Sequence, residues 1–149
     1  MTIASAVCSS FKTEVLRAIH NFTQGGNEFK LALYVSSANL GATTTAYATN
    51  PGGGGNTEVA NGNGYTTKGA ALTNVTPALD GTTACCDFAD ISFTSASFTA
   101  NGCLIYNETA NGDPAVCTIA FGGDKTVSSG TFTIQFPAAS ASAAILRIA

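Results

Sequence analysis

The sequence predicts a mainly β fold: an antiparallel β-sandwich, jelly-roll-like, of about eight strands with one amphipathic helix near the N-terminus. Three observations predict it. Apolar residues alternate with polar ones at period two in several segments, as on a strand with one buried face. Turn-forming residues punctuate those segments at roughly ten-residue spacing. The stretch Thr82–Tyr106, TTACCDFADISFTSASFTANGCLIY, reads as strand, short connection, strand. Cys86, Phe88, Ile91 and Phe93 supply its first apolar half, and Phe98, Cys103, Leu104, Ile105 and Tyr106 its second. Asn101-Gly102 interrupts the second run, and that pair adopts positive φ at little cost in a turn or bulge.

In chain order, residues 9–22 (SSFKTEVLRAIHNF) form the one helix. Phe11, Val15, Ile19 and Phe22 recur at helical spacing, with Leu16 and Ala18 beside them. Ser9 or Ser10 can cap its start, Arg17 and His20 suit the negative end of the dipole, and Gly25-Gly26 stops it. The stripe packs on a sheet or docks a neighbouring subunit. Glu28–Val35 alternates Phe29, Leu31, Leu33 and Val35 against Lys30, Ala32 and Tyr34, a half-buried strand. Residues 36–42 turn, and 43–48 can form a short β-branched strand.

Residues 50–64 (NPGGGGNTEVANGNG) are an exposed glycine-rich loop in which Thr57-Glu58-Val59 pairs briefly. Beyond it, residues 70–79 form a strand broken near Pro77, and Asp80-Gly81 turns into the central stretch. Residues 107–114 are a loop and 115–121 a strand, turned by Gly122-Gly123-Asp124. Residues 130–136 alternate Phe132, Ile134 and Phe136 with threonines and Gln135, and 143–148 close the chain as an apolar strand.

The totals suit a single domain over residues 1–149, long enough to bury about 70% of its unfolded surface without metal or disulfide. Charged residues make up only 10% of it, against about 25% in a typical soluble domain. Little Coulombic repulsion then opposes extensive contact with other protein. A net charge of -3 and six scattered Lys and Arg exclude a basic nucleic-acid stripe. No run approaches the roughly 18 apolar residues of a membrane span. Ile3–Cys8 lacks the preceding cations and the length of a signal sequence, so an unprocessed, soluble chain is expected.

Five cysteines, Cys8, Cys85, Cys86, Cys103 and Cys117, show no C-x-x-C spacing. They read as small buried hydrophobes, or as one cross-strand or intersubunit disulfide with an odd thiol left over. Adjacent Cys85 and Cys86 point to opposite faces of a strand, so at most one joins the core. His20 is the only histidine and reads as a surface residue at a helix end, remote from the pairing that nucleophilic catalysis needs. Asp87 and Asp90 face opposite sides of a regular strand; with Asp113 or Asp124 they would make at best a sparse calcium site. Glu108 and Asp113 read as solvated loop charges. The glycines of 52–64 lack a phosphate-binding context, and three glycosylation tripeptides, at Asn21, Asn74 and Asn107, have no secretory signal to support them. The four tyrosines, 34, 47, 65 and 106, are dispersed and there is no tryptophan, which weakens a carbohydrate-binding reading. No enzyme, cofactor or metal is expected.

Several strings carry a resemblance: FKLALY (29–34), GYTTKGA (64–70), DFAD (87–90), LIYN (104–107), FGGDKT (121–126), GTFTIQFP (130–137) and AILRI (144–148). With these, the chain resembles small β-rich virion proteins of tailed bacteriophages, above all capsid cement (decoration) proteins of sandwich type. It departs from them in the glycines 52–55 and in its cysteine enrichment. The resemblance implies a protein on the outside of the capsid that bridges and stabilises capsomers. Its partners would be the major capsid protein and copies of itself, as a homo-oligomer on a particle assembled in the bacterial cytoplasm. A tail, collar or fibre-associated protein touching other tail parts or a host receptor is the alternative. In either setting Phe11, Leu16 and Phe22 are the candidate subunit interface.

Overall fold

Strands that the turn signals divide are continuous in the folded chain. The computed structural model describes residues 2–149. It contains β1 (Ala6–Val7), α1 (Ser9–Leu16), β2 (Phe29–Tyr34), β3 (Ala70–Ala71), β4 (Asn74–Asp80), β5 (Thr83–Phe88), β6 (Ile91–Asn107), β7 (Ala115–Ile134) and β8 (Leu146–Ile148). One sheet has the order β1-β7-β6-β2-β3 and the other β4-β5-β8, with antiparallel pairing between named strands throughout. The result is a mainly β, two-sheet antiparallel sandwich with one short helix.

The break in the central stretch falls at Ala89-Asp90, not between Phe93 and Phe98. It separates two sheets rather than two arms of a hairpin: β5 belongs to the small sheet and β6 to the large one. β6 then runs unbroken through Asn101-Gly102, where its register against β7 shifts. A side chain on Gly102 would sit 2.6 Å from the Ile119 carbonyl oxygen, so glycine is needed there for close approach. Gly122-Gly123-Asp124 does not turn the chain either. Ala100 pairs with Lys125 and Gly102 with Ala120, so β7 carries its surplus residues as an excursion at the glycines, with φ of 76° and 143°. The partner strand β6 runs alongside on both sides of the excursion, which keeps the two pieces in one line.

β2 is buried on both faces rather than one, with Leu31, Ala32, Leu33 and Tyr34 all at 0% exposure. The connection from 35 to 69 folds back over it. Residues 43–48 contribute a single bridge, Ala46 to Pro114, and Glu58 bridges Tyr34 as the Thr57–Val59 segment suggested. Gly52–Asn56 are exposed, whereas Thr57, Glu58 and Val59 are buried. The strand expected over 70–79 is two strands, and a register irregularity in β4 lies between Val75 and Ala78, around Pro77.

Helix α1 is shorter than the periodicity suggests. Its N-cap is Cys8, which makes no side-chain cap, so neither Ser9 nor Ser10 caps it. It ends at Leu16 because Ala18 takes the left-handed conformation (φ 59°). The Ala18 N–H donates to the Val15 carbonyl (3.2 Å) and the Ile19 N–H to the Glu14 carbonyl (3.1 Å). These are the two bonds of a Schellman motif, with alanine where glycine is usual. The turn frees Phe22 to stack flat on Phe29 (4.4 Å, 6°) and places Phe11 edge-on to Phe22 (5.9 Å). Burial of such rings, at roughly 1.5–3 kcal/mol each, outweighs two further turns of helix. One contiguous apolar core joins these rings to both sheets.

Candidate functional site

The four tyrosines, dispersed in sequence, converge around one carboxylate. Glu58 is 3% exposed. It accepts hydrogen bonds from the Tyr47 hydroxyl at Oε2 (2.7 Å), and from the Tyr65 hydroxyl and the Lys68 N–H at Oε1 (2.7 Å each). The Tyr65 oxygen in turn accepts from the Leu33 N–H (3.0 Å). The Tyr106 hydroxyl donates to the Lys68 carbonyl and the Tyr34 hydroxyl to the Ala48 carbonyl. Burial pushes all four phenols far above their usual range; the Glu58 carboxylate is the next cause for Tyr34, Tyr47 and Tyr65, and Glu108 for Tyr106. These phenols are held as donors; the bonds to Glu58 tie parts of the 35–69 connection to one another, and the Leu33–Tyr65, Tyr34–Ala48 and Tyr106–Lys68 bonds fix it to β2 and β6. The hub is a clamp on the connection.

His20 is buried rather than at the surface (7% exposed). Asn107, itself fully buried, accepts the Thr109 and Ala110 N–H groups at its Oδ1, so its Nδ2 faces the imidazole. That amide shares its two hydrogens among His20 Nδ1 (3.2 Å), the Ile19 carbonyl (3.3 Å) and Asn27 Oδ1 (3.0 Å). His20 Nε2 therefore carries the proton and donates it to Glu14 Oε2 (2.8 Å). The ring stacks between aromatic neighbours, 4.9 Å from Phe11 and 6.2 Å from Phe29. Every polar atom of the imidazole is occupied in joining the end of α1 to β6.

All five thiols are free and buried. Cys86 joins the shared core and Cys85 lies outside that cluster, as their opposite faces require. Burial pushes Cys8 up to about 11 and Cys86 and Cys103 up to about 12, and Cys117 well above its usual value, with neighbouring thiols adding to the effect. Such thiols are neutral small hydrophobes, not nucleophiles. The acids singled out for calcium are spread apart. Asp87 accepts the Phe88 N–H, Asp90 the Phe136 N–H and Asp124 the Asn101 amide, while Asp113 pairs with Lys68 at 3.2 Å. Glu108 pairs with Lys30 at 2.8 Å. No group of three or more metal-ligating side chains gathers among the described residues.

Two apolar grooves remain. The larger, about 750 Å³, lies between β1, the bent β7 and the segment 135–145, and includes Phe121, Phe132 and Phe136. The second, about 570 Å³, lies between α1 and the small sheet, walled by Phe11, Val15, Phe22, Cys86 and Leu146. Of the three residues chosen as a candidate interface, Phe11 and Phe22 are spent on the chain's own core, at 7% and 8% exposure. Leu16 alone is free, at 88%, and it lines this groove. Ile148 (66%) lines it too, and Leu79 (70%) joins the same face, because Leu79 and Ile148 both pair with Ala84. Leu79 and Ile148 escaped the sequence reading because each sits in a short exposed-edge strand whose periodicity reads as inward-facing.

No described helix is long and apolar enough to cross a membrane. No family model, curated protein or solved structure matches the chain.

Proposed function

We propose that this chain is a structural protein of a tailed-bacteriophage virion, acting on the outside of the capsid as a cement that bridges capsomers. The observation that carries an assembly role is the exposed apolar rim of Leu16, Leu79 and Ile148 beside an open groove, on a chain with few charges. Large apolar side chains grouped in this way lose water favourably only when another surface covers them. The capsid location rests on the resemblance of its strand and turn strings to those of cement proteins. Repetition of one modest contact by the symmetry of a shell gives high avidity without any single strong anchor. Partners on this reading are the major capsid protein and further copies of the chain, with no cofactor.

Copy number per particle tests the reading, by quantitative mass spectrometry of purified virions. Stoichiometry comparable to that of the major capsid protein supports the cement role. A number typical of one tail or collar ring moves the chain to the tail. Absence from the particle discards both.

A further inference from the structure

We infer that the groove between α1 and the small sheet docks an acidic, apolar peptide segment of another protein. The inference stands on the groove itself and holds wherever the chain resides. The walls supply the apolar half of the recognition: Phe11, Val15, Cys86 and Leu146 below, with Leu16 and Ile148 at the lips. The charges supply the other half. Lys12 lines the groove, and Arg17 follows Leu16 at the exposed end of the helix. Arg147 pairs with Cys85, so its side chain turns to the other face of the sheet, where it donates to the Ala141 carbonyl (2.6 Å). No acidic residue lines the groove. Lys30 and Lys68 are neutralised by Glu108 and Asp113, whereas Lys12 and Arg17 make no ion pair among the described residues. The nearest acid on the helix, Glu14, is held by His20.

An apolar cleft rimmed by unpaired cations fits a ligand with an apolar face flanked by carboxylates. The lips select a polypeptide over a small acid such as a fatty acid. Leu16 and Ile148 stand 88% and 66% exposed at the lips, and Leu79 (70%) lies beyond the groove on the same face of the sheet, so a longer segment lying along the groove covers more of this rim than a small ligand does. A second copy of this chain is disfavoured by charge, because it would bring its own Lys12 and Arg17 to the same rim in a two-fold contact.

The probe is a displayed library of random 16-residue peptides, selected on the wild-type chain and measured individually by calorimetry. Enriched peptides should combine two or more large apolar residues with a net negative charge. Their affinity should fall about tenfold or more in Leu16→Ser/Ile148→Ser. It should fall about tenfold in Lys12→Glu/Arg17→Glu, the loss shrinking at high salt. All four positions are exposed, and circular dichroism confirms that each variant is folded. No enrichment, enrichment of neutral or basic peptides, or binding indifferent to these substitutions would each overturn the inference. So would a wild-type dimer in sedimentation that Leu16→Ser dissolves, or saturation of the groove by dodecanoate in preference to every peptide.

Discussion

Removing the charge on Glu58 while keeping its shape tests whether the tyrosine hub holds the long connection. In Glu58→Gln the amide oxygen can still accept the Tyr65 hydroxyl and the Lys68 N–H, as Oε1 does now. The new amide group then faces Tyr47, whose hydroxyl must stop donating and accept instead. Charge-assisted bonds become neutral ones, at a cost of about 1–2 kcal/mol. Glu58→Ala is harsher. Tyr47 is half-buried and Lys68 exposed, so both can turn to water, but Tyr65 is 3% exposed, so its donor is stranded. The stranded donor and the lost bonds and packing together cost about 2–4 kcal/mol. In a domain of this length a kcal/mol moves Tm by roughly 2–4 °C. Urea unfolding followed by circular dichroism, on Glu58→Gln, Tyr65→Phe and the double variant, gives the coupling directly. A neutral or stabilising Glu58→Gln, or strictly additive singles, would refute the clamp.

Other substitutions probe single features. Ala18→Gly relieves the left-handed alanine after α1 (φ 59°) and should stabilise by about 0.5–1 kcal/mol, read as a higher urea midpoint. Thr57→Val replaces a buried hydroxyl that has no hydrogen-bond partner, so a gain of about 1 kcal/mol is expected; a loss would mean that the hydroxyl is satisfied. Acid should weaken the fold through Glu108, whose carboxyl is held below its usual range mainly by the hydrogen bond from Lys30. The unfolded chain takes up that proton at a higher pH than the folded one. This contribution is therefore complete above the ordinary glutamate value of about 4.3 and is lost as pH falls through the folded value. Urea midpoints measured across that window should fall less steeply in Lys30→Met.

Segments whose periodicity is strict and local were legible in the sequence. FKLALY is β2, and Asp80-Gly81 turns β4 into β5. What local pattern could not show is whether a turn-forming pair turns or bulges. Gly122-Gly123-Asp124 and Asn101-Gly102 suit either geometry, and the choice is made by a partner strand long enough to run past them. The same limit applies to the helix, where the pattern at Ile19 and Phe22 is helical but tertiary stacking on Phe29 overrides it. The hub around Glu58 was hidden for a related reason. Its carboxylate lies in a glycine-rich run that reads as loop, and its phenols come from segments that meet only when the connection folds back. The one local signal was Thr57-Glu58-Val59, a β-branched pair with an acid between them inside that run.

The small sheet has a consequence for how the protein is made. β5 lies between β4, which precedes it directly, and β8, whose residues Leu146–Ile148 follow far later in the chain. β1, near the start of the chain, likewise waits for Cys117 and Thr118 of β7. Neither sheet is complete until its distant partner strand has been made, so the nascent chain carries Cys85 and Cys86 on a half-paired strand until Leu146–Ile148 emerge. Emergence of β8, rather than of β5 itself, is then the event that completes the small sheet.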